Sequence, residues 1–240
     1  RGIYSLSQLN QAAIRSIGDS LQFSRITWTD FVQLVLDLTI QAYQLMWQTC
    51  PVRHDWEENT FTSKLADDYL RPLEFDNLPS LRVEVRSKVH TQAMKEGKQA
   101  TIEAKEMDLS LYGIWERDYL HKRFVWEAKR IGDRKNYSNL ISEYVNEAIY
   151  RFIKLEYAAR LPDAGVLGYV LAGDVSDIVN DINQTMGRLR KNKPLSATNH
   201  LKASPTIHQF QDRYQSIHLR ADGSSIQLHH LFFTFDFAQL

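Results

Sequence analysis

Three ionisable residues define the chemistry open to this chain. Asp108 lies in Lys-Glu-Met-Asp-Leu-Ser-Leu, and Glu127 and Lys129 lie in Phe-Val-Trp-Glu-Ala-Lys-Arg. Both stretches read as β-strands, on which side chains alternate with period two, so Glu127 and Lys129 project from one face. A hairpin between the strands would set Asp108 beside Glu127. Two carboxylates converging on a sheet form a hard-oxygen site suited to Mg²⁺, with Mn²⁺ as a substitute. An ion held there neutralises phosphate charge and activates water, the two requirements of phosphodiester hydrolysis. Lys129 would hold the attacking water or stabilise developing negative charge. The plainer alternative for Glu127 and Lys129 is a salt bridge on a strand face. A charge within Met-Asp-Leu-Ser-Leu is costly to bury without a partner.

The elements that must position these residues follow from hydrophobic periodicity. Helices are predicted over 5–22, 30–49 with Thr29 as N-cap, and 55–70. The second buries Phe31, Leu34, Val35, Leu38, Ala42, Leu45 and Met46. The third carries Phe61, Leu65 and Tyr69 on one stripe and ends at Pro72. The period then switches to two, giving strands over 81–90 and 100–112; a third strand, apolar at Phe124, Val125 and Trp126, covers 123–131, with turns at Gly97 and Glu116-Arg117-Asp118. A long helix over 138–160 comes next, with Leu140, Ile141, Val145, Ala148, Ile149 and Phe152 on its apolar face. Residues 165–172 read as a buried strand of a parallel or mixed sheet. A helix capped by Asp174 or Ser176 runs to 190, a polar loop covers 191–207, and 214–220 with 226–237 form a hairpin. The expected class is α/β (α+β), with one central mixed sheet flanked by helices. It divides into an N-terminal helical segment (1–54), a core (55–175), and a C-terminal helix, loop and hairpin completing the same domain (176–240).

This order of helix, three strands, helix and strand, together with Asp108 and Glu127-Ala128-Lys129, resembles the PD-(D/E)xK restriction-endonuclease-like nuclease superfamily. The resemblance covers roughly residues 55–175. It implies that the carboxylates bind Mg²⁺ and that the lysine assists the attacking water. The first helix of that family often carries a further acid, and Glu58 (or Glu57) is the match. Met107 stands where the motif name has proline. A second E-x-K, Glu103-Ala104-Lys105, leads into more strand rather than into the long helix, so the copy at Glu127 is chosen. The implied activity is hydrolysis of DNA, in a bacterial restriction or anti-phage setting, by a homodimer or with a partner defence subunit. A catalytically inactive DNA-binding or scaffold subunit, and an RNA nuclease, remain alternatives.

Weaker nucleic-acid candidates lie beyond the motif. Tyr150 and Arg151 avoid the main apolar stripe of the long helix, and Asn146-x-x-x-Tyr150 faintly resembles the Gln-x-x-x-Tyr of RecB-type nucleases. Arg188, Arg190, Lys191 and Lys193 form a short basic run, and His218 and Arg220 share a strand face. Local clusters matter here because Lys+Arg and Asp+Glu balance at 29 each, which leaves no fold-wide basic field.

Other classes are disfavoured. The single cysteine, Cys50, allows no internal disulfide or multi-cysteine zinc site, and fits a cytoplasmic location. The apolar run from Phe31 to Trp47 contains Asp37 and several glutamines, so no membrane span is expected. No signal peptide, glycine-rich phosphate loop or Gly-x-Ser-x-Gly elbow stands in the sequence.

Overall fold

The alternation Leu-Arg-Val-Glu-Val opens strand β1 (Leu81–Val89), which pairs antiparallel with β2 (Lys105–Gly113). The computed structural model describes residues 27–73, 81–89, 105–113, 123–132, 136–190, 200–235 and 237. The helix expected over 5–22, the turns at Gly97 and 116–118, and residues 191–199 lie outside them. Strand β3 (Arg123–Ile131) matches its expected bounds and pairs antiparallel with β2. The continuous apolar run of β4 (Asp163–Val170) is buried because it lies parallel to β3 on one side and to β7 (Ser225–Thr234) on the other. Two further strands, β5 (Lys202–Ala203) and β6 (Arg213–Leu219), complete a mixed sheet in the order β1-β2-β3-β4-β7-β6-β5. The C-terminal hairpin thus joins the same sheet as the core strands.

One face of the sheet is covered by α1 (Trp28–Thr49) and α2, which runs Glu58–Lys64 and continues as a π-helical turn over Leu65–Leu70. Helix α1 begins two residues earlier than expected. Thr27 rather than Thr29 caps it, because only Thr27 has an acid three residues on: the Thr27 and Asp30 side chains bond each other's backbone N–H. Leu45, expected inside, is 38% exposed, while Val32, Leu36, Ile40 and Tyr43 are buried as well. Tyr43 fixes the helix by stacking on Phe233 at 4.1 Å and donating its hydroxyl to the Thr234 carbonyl at 2.7 Å. No described helix is long and apolar enough to cross a membrane.

The opposite face packs α3 and α4 (Val175–Arg190). Helix α3 runs Tyr137–Glu143, passes through a π-helical turn at Tyr144–Ile149, and ends with Tyr150–Ile153. It stops well short of residue 160. Leu155 and Ala158 take left-handed backbone angles (φ 62° and 49°), and Arg220 ties the next segment down through the Ala159 and Leu161 carbonyls.

Where β3 ends, Gly132 sits at φ +83°, and a Cβ there would lie 2.1 Å from the Ala172 carbonyl oxygen. Backbone cannot yield as a side-chain tip can, and the left-handed angle adds its own strain. Gly132→Ala is expected to lower stability by more than about 2 kcal/mol in a urea melt. A melt matching wild type would refute this packing.

Candidate functional site

The site forms where β2 and β3 part. Their ladder pairs Tyr112 with Arg123 through Leu109 with Trp126, and Asp108 and Glu127 come next on the two strands. Asp108 is also passed over in the β1–β2 pairing, opposite Arg86, whose φ is +55°. The irregularity turns β2: Met107 packs into the core under α3 and Leu109 into the core under α1 and α2. Breaks of this kind re-aim a side chain, and here that side chain is Asp108.

Parting strands leave backbone N–H groups of β3 without a ladder partner, and buried donors must find another. Two acids supply it. Asp108 Oδ2 accepts from the Ala128 amide at 2.7 Å, and Glu58 Oε2 accepts from the Arg130 amide at 3.2 Å. Glu58 lies in the first turn of α2. Its helix is seated by Phe61 stacking on Tyr169 at 4.9 Å and by the Thr62 and Tyr169 hydroxyls meeting at 3.0 Å. The Arg130 guanidinium adds a bond to the Trp56 carbonyl at 2.9 Å. Of the two neighbouring acids, Glu58 reaches β3, whereas Glu57 occupies the N-cap position.

Glu127 and Lys129 share a face of β3 as the period requires, and both are buried. Lys129 Nζ lies 2.9 Å from Glu58 Oε1 and 3.2 Å from Glu127 Oε1. Arg151, from the last turn of α3, places Nη1 2.9 Å from the same Glu127 oxygen. The other oxygen, Glu127 Oε2, is buried and meets no donor group among the described residues, while the Glu127 carboxyl lies against that of Asp108.

Three carboxylates therefore meet two cations. Burial, then repulsion from Asp108, pushes the Glu127 carboxyl up to about 8, and Lys129 and Arg151 only partly offset this. Asp108 and Glu58 are raised too, in each case chiefly by burial. Lys129 moves the other way from a lone buried amine. Burial would lower it, but Glu127, Glu58 and Asp108 together hold it well above its ordinary value. It is thus an ammonium donor and not a proton acceptor at neutral pH.

The acids fit a divalent ion in charge and in type, and Glu127 Oε2 is a buried oxygen that meets no donor group among the described residues. The fit is best for Asp108 with Glu127. Among the described residues no three His, Cys, Asp or Glu side chains form a group that could hold a metal ion. Of the expected trio of Glu58, Asp108 and Glu127, Glu58 is the one engaged by Lys129 and the Arg130 amide.

Of the nucleic-acid candidates, Tyr150 is 1% exposed and packs in the core. It departs from the expected helix face because the preceding π-helical turn holds more residues than an α-turn and rotates the rest of the helix about its axis. Arg151 points to Glu127, with a second, longer contact to Glu147 at 3.4 Å. The side chain of Arg190, with Lys191 and Lys193, lies outside the described residues. His218 and Arg220 are buried and present no phosphate-binding surface. His218 belongs to a chain of contacts in which Tyr144 meets His230 at 2.9 Å, and Ser216 meets His230 at 2.8 Å and His218 at 2.6 Å.

Tyr157 was not legible as a site residue. Arg151 Nη1 donates to its hydroxyl at 3.1 Å, and that hydroxyl donates to the Glu106 carbonyl at 2.9 Å. The stretch around it reads as helix in sequence, which hid the turn that carries it back to β2. Compared with protein-family models, with curated proteins and with solved structures, the chain matches none.

Proposed function

We propose that this chain is a Mg²⁺-dependent nuclease that hydrolyses DNA phosphodiester bonds, with Mn²⁺ as an alternative ion. The observation that carries the reading is the placing of Asp108, Glu127 and Lys129 together at the divergence of β2 and β3, with Glu127 Oε2 buried and meeting no donor group among the described residues. Asp108 and Glu127 would hold the ion, which supplies charge neutralisation on the phosphate and a more acidic bound water. Lys129, kept protonated by its acidic neighbours, donates to the attacking water or to the phosphate oxygen that gains charge. Glu58 holds Lys129 in place at 2.9 Å. DNA as substrate, and a restriction or anti-phage setting, rest on the resemblance to PD-(D/E)xK nucleases; fold-level analogy says little about biological role.

The test is incubation with supercoiled plasmid and Mg²⁺ or Mn²⁺, alongside Glu127→Ala and Lys129→Ala. Nicked or linear product from wild type alone, lost by a factor of about 100 or more in each variant, is the expected outcome. Equal persistence of supercoiled plasmid in all three would defeat the catalytic reading. A binding or scaffold role has its own supporting observation: Glu58 and Asp108 each accept a backbone amide, as purely structural acids would. Plasmid retardation without cleavage would favour it.

A further inference from the structure

Arg151 stands apart from the residues that the nuclease reading uses. It comes from α3 and not from the sheet, is 28% exposed at its side chain, and holds its positive charge 2.9 Å from Glu127, with a longer contact to the exposed Glu147 at 3.4 Å. Tyr157 holds it from behind, with the guanidinium carbon 5.7 Å from the ring centre and Nη1 bonded to the hydroxyl.

Such a contact has two opposed effects. Arg151 orients Glu127, which would help an ion bind, and it places a cation beside the ion's position, which would hinder it. The geometry decides between them. Lys129 holds the same oxygen, Glu127 Oε1, at 3.2 Å, and the Glu127 side chain is only 2% exposed. The carboxylate therefore keeps its orientation when Arg151 is removed. The charge has no such substitute, since Lys129 is already shared with Glu58.

We propose that Arg151 is a built-in counter-ion of Glu127 that competes with the divalent ion and sets the metal affinity of the site, with Tyr157 as its anchor. This rests on the reading of Asp108 and Glu127 as metal-binding residues. A unit charge several ångströms away in a partly screened setting changes binding by roughly tenfold. Arg151 thus acts as a positioning and charge-setting residue, and it is not assigned to the reacting atoms.

The experiment is titration of the full chain with Mn²⁺ in the absence of DNA, measuring free Mn²⁺ by electron paramagnetic resonance. Wild type, Arg151→Gln, Arg151→Lys and Asp108→Asn are compared, each checked for folding by circular dichroism. Arg151→Gln is expected to bind Mn²⁺ about tenfold more tightly. Arg151→Lys, which retains the charge, should stay near wild type. A merely structural arginine would give unchanged or weaker binding in Arg151→Gln, and either result overturns the proposal. If Arg151→Gln does not fold, Tyr157→Phe serves in its place: loosening the anchor should tighten Mn²⁺ binding in the same direction, and unchanged binding overturns the proposal. Mn²⁺ binding by wild type that is no tighter than by Asp108→Asn would instead defeat the metal-site reading, which separates the two failures.

Discussion

Lys129→Met is expected to destabilise the protein by roughly 3–5 kcal/mol near pH 8, the usual cost of removing one partner from a buried ion pair. Lys129 is 7% exposed and serves two carboxylates, Glu58 at 2.9 Å and Glu127 at 3.2 Å. Methionine fills much the same volume, so the loss reports charge and hydrogen bonding more than packing. The size of the effect should depend on pH. Burial already raises both acids, and without the ammonium they rise further. Each can then escape the unpaired state by taking up a proton; Glu127, already raised to about 8, does so near pH 8, and the further fall of the penalty toward pH 5 comes from Glu58. Urea melts of wild type and variant at pH 5 and pH 8 measure this. A cost that is the same at both pH values would mean that Lys129 contributes through packing alone. A double-mutant cycle with Glu58→Gln should show coupling of about 1 kcal/mol or more, since the two side chains bond directly.

Removing the carboxylate should do the opposite. Glu127→Gln is expected to stabilise the metal-free protein above pH 8 and to leave its stability nearly unchanged near pH 4. The sign comes from proton linkage. Folded Glu127 holds its proton up to about pH 8, whereas the exposed group in the unfolded chain releases it near its ordinary 4.5. Between those limits the folded state binds more protons, so wild-type stability falls as pH rises. Glutamine resembles the protonated acid and carries no such dependence. Each tenfold change in proton affinity corresponds to about 1.4 kcal/mol, which puts the ceiling of the gain near 5 kcal/mol. Lost bonds from Lys129 and Arg151 will reduce it. Melts in EDTA at pH 4.5 and pH 8.5 provide the check, and a variant less stable than wild type at pH 8.5 contradicts it. Such a gain, together with loss of the proposed cleavage, would be the pattern expected where function demands an unfavourable arrangement of charge.

The two predictions have opposite signs because the cluster holds more carboxylates than cations. Glu58, Asp108 and Glu127 surround Lys129 and Arg151, so subtracting a cation worsens the imbalance and subtracting an acid relieves it. The same imbalance favours an added divalent ion at Glu127 Oε2 in the reading proposed above.

Much of this was legible in the chain itself. Period-two alternation located β1 and β2, the apolar Phe124-Val125-Trp126 marked β3, and the apolar run Val-Leu-Gly-Tyr-Val marked β4 as a strand buried on both faces, since local side-chain patterning reports directly on burial. Glu127 and Lys129 share a face for the same local reason, and Asp108 is placed beside them by the antiparallel pairing of β2 with β3. Tertiary structure alone decided the rest. The parting of β2 from β3 turns Asp108 and Glu58 into acceptors for the amides of Ala128 and Arg130. A π-helical turn buried Tyr150, and the chain reversal after Ile153 brought Tyr157 behind Arg151. Those outcomes depend on hydrogen-bond partners distant in sequence and on one-residue changes in helical phase, and no local spacing of residue types encodes either.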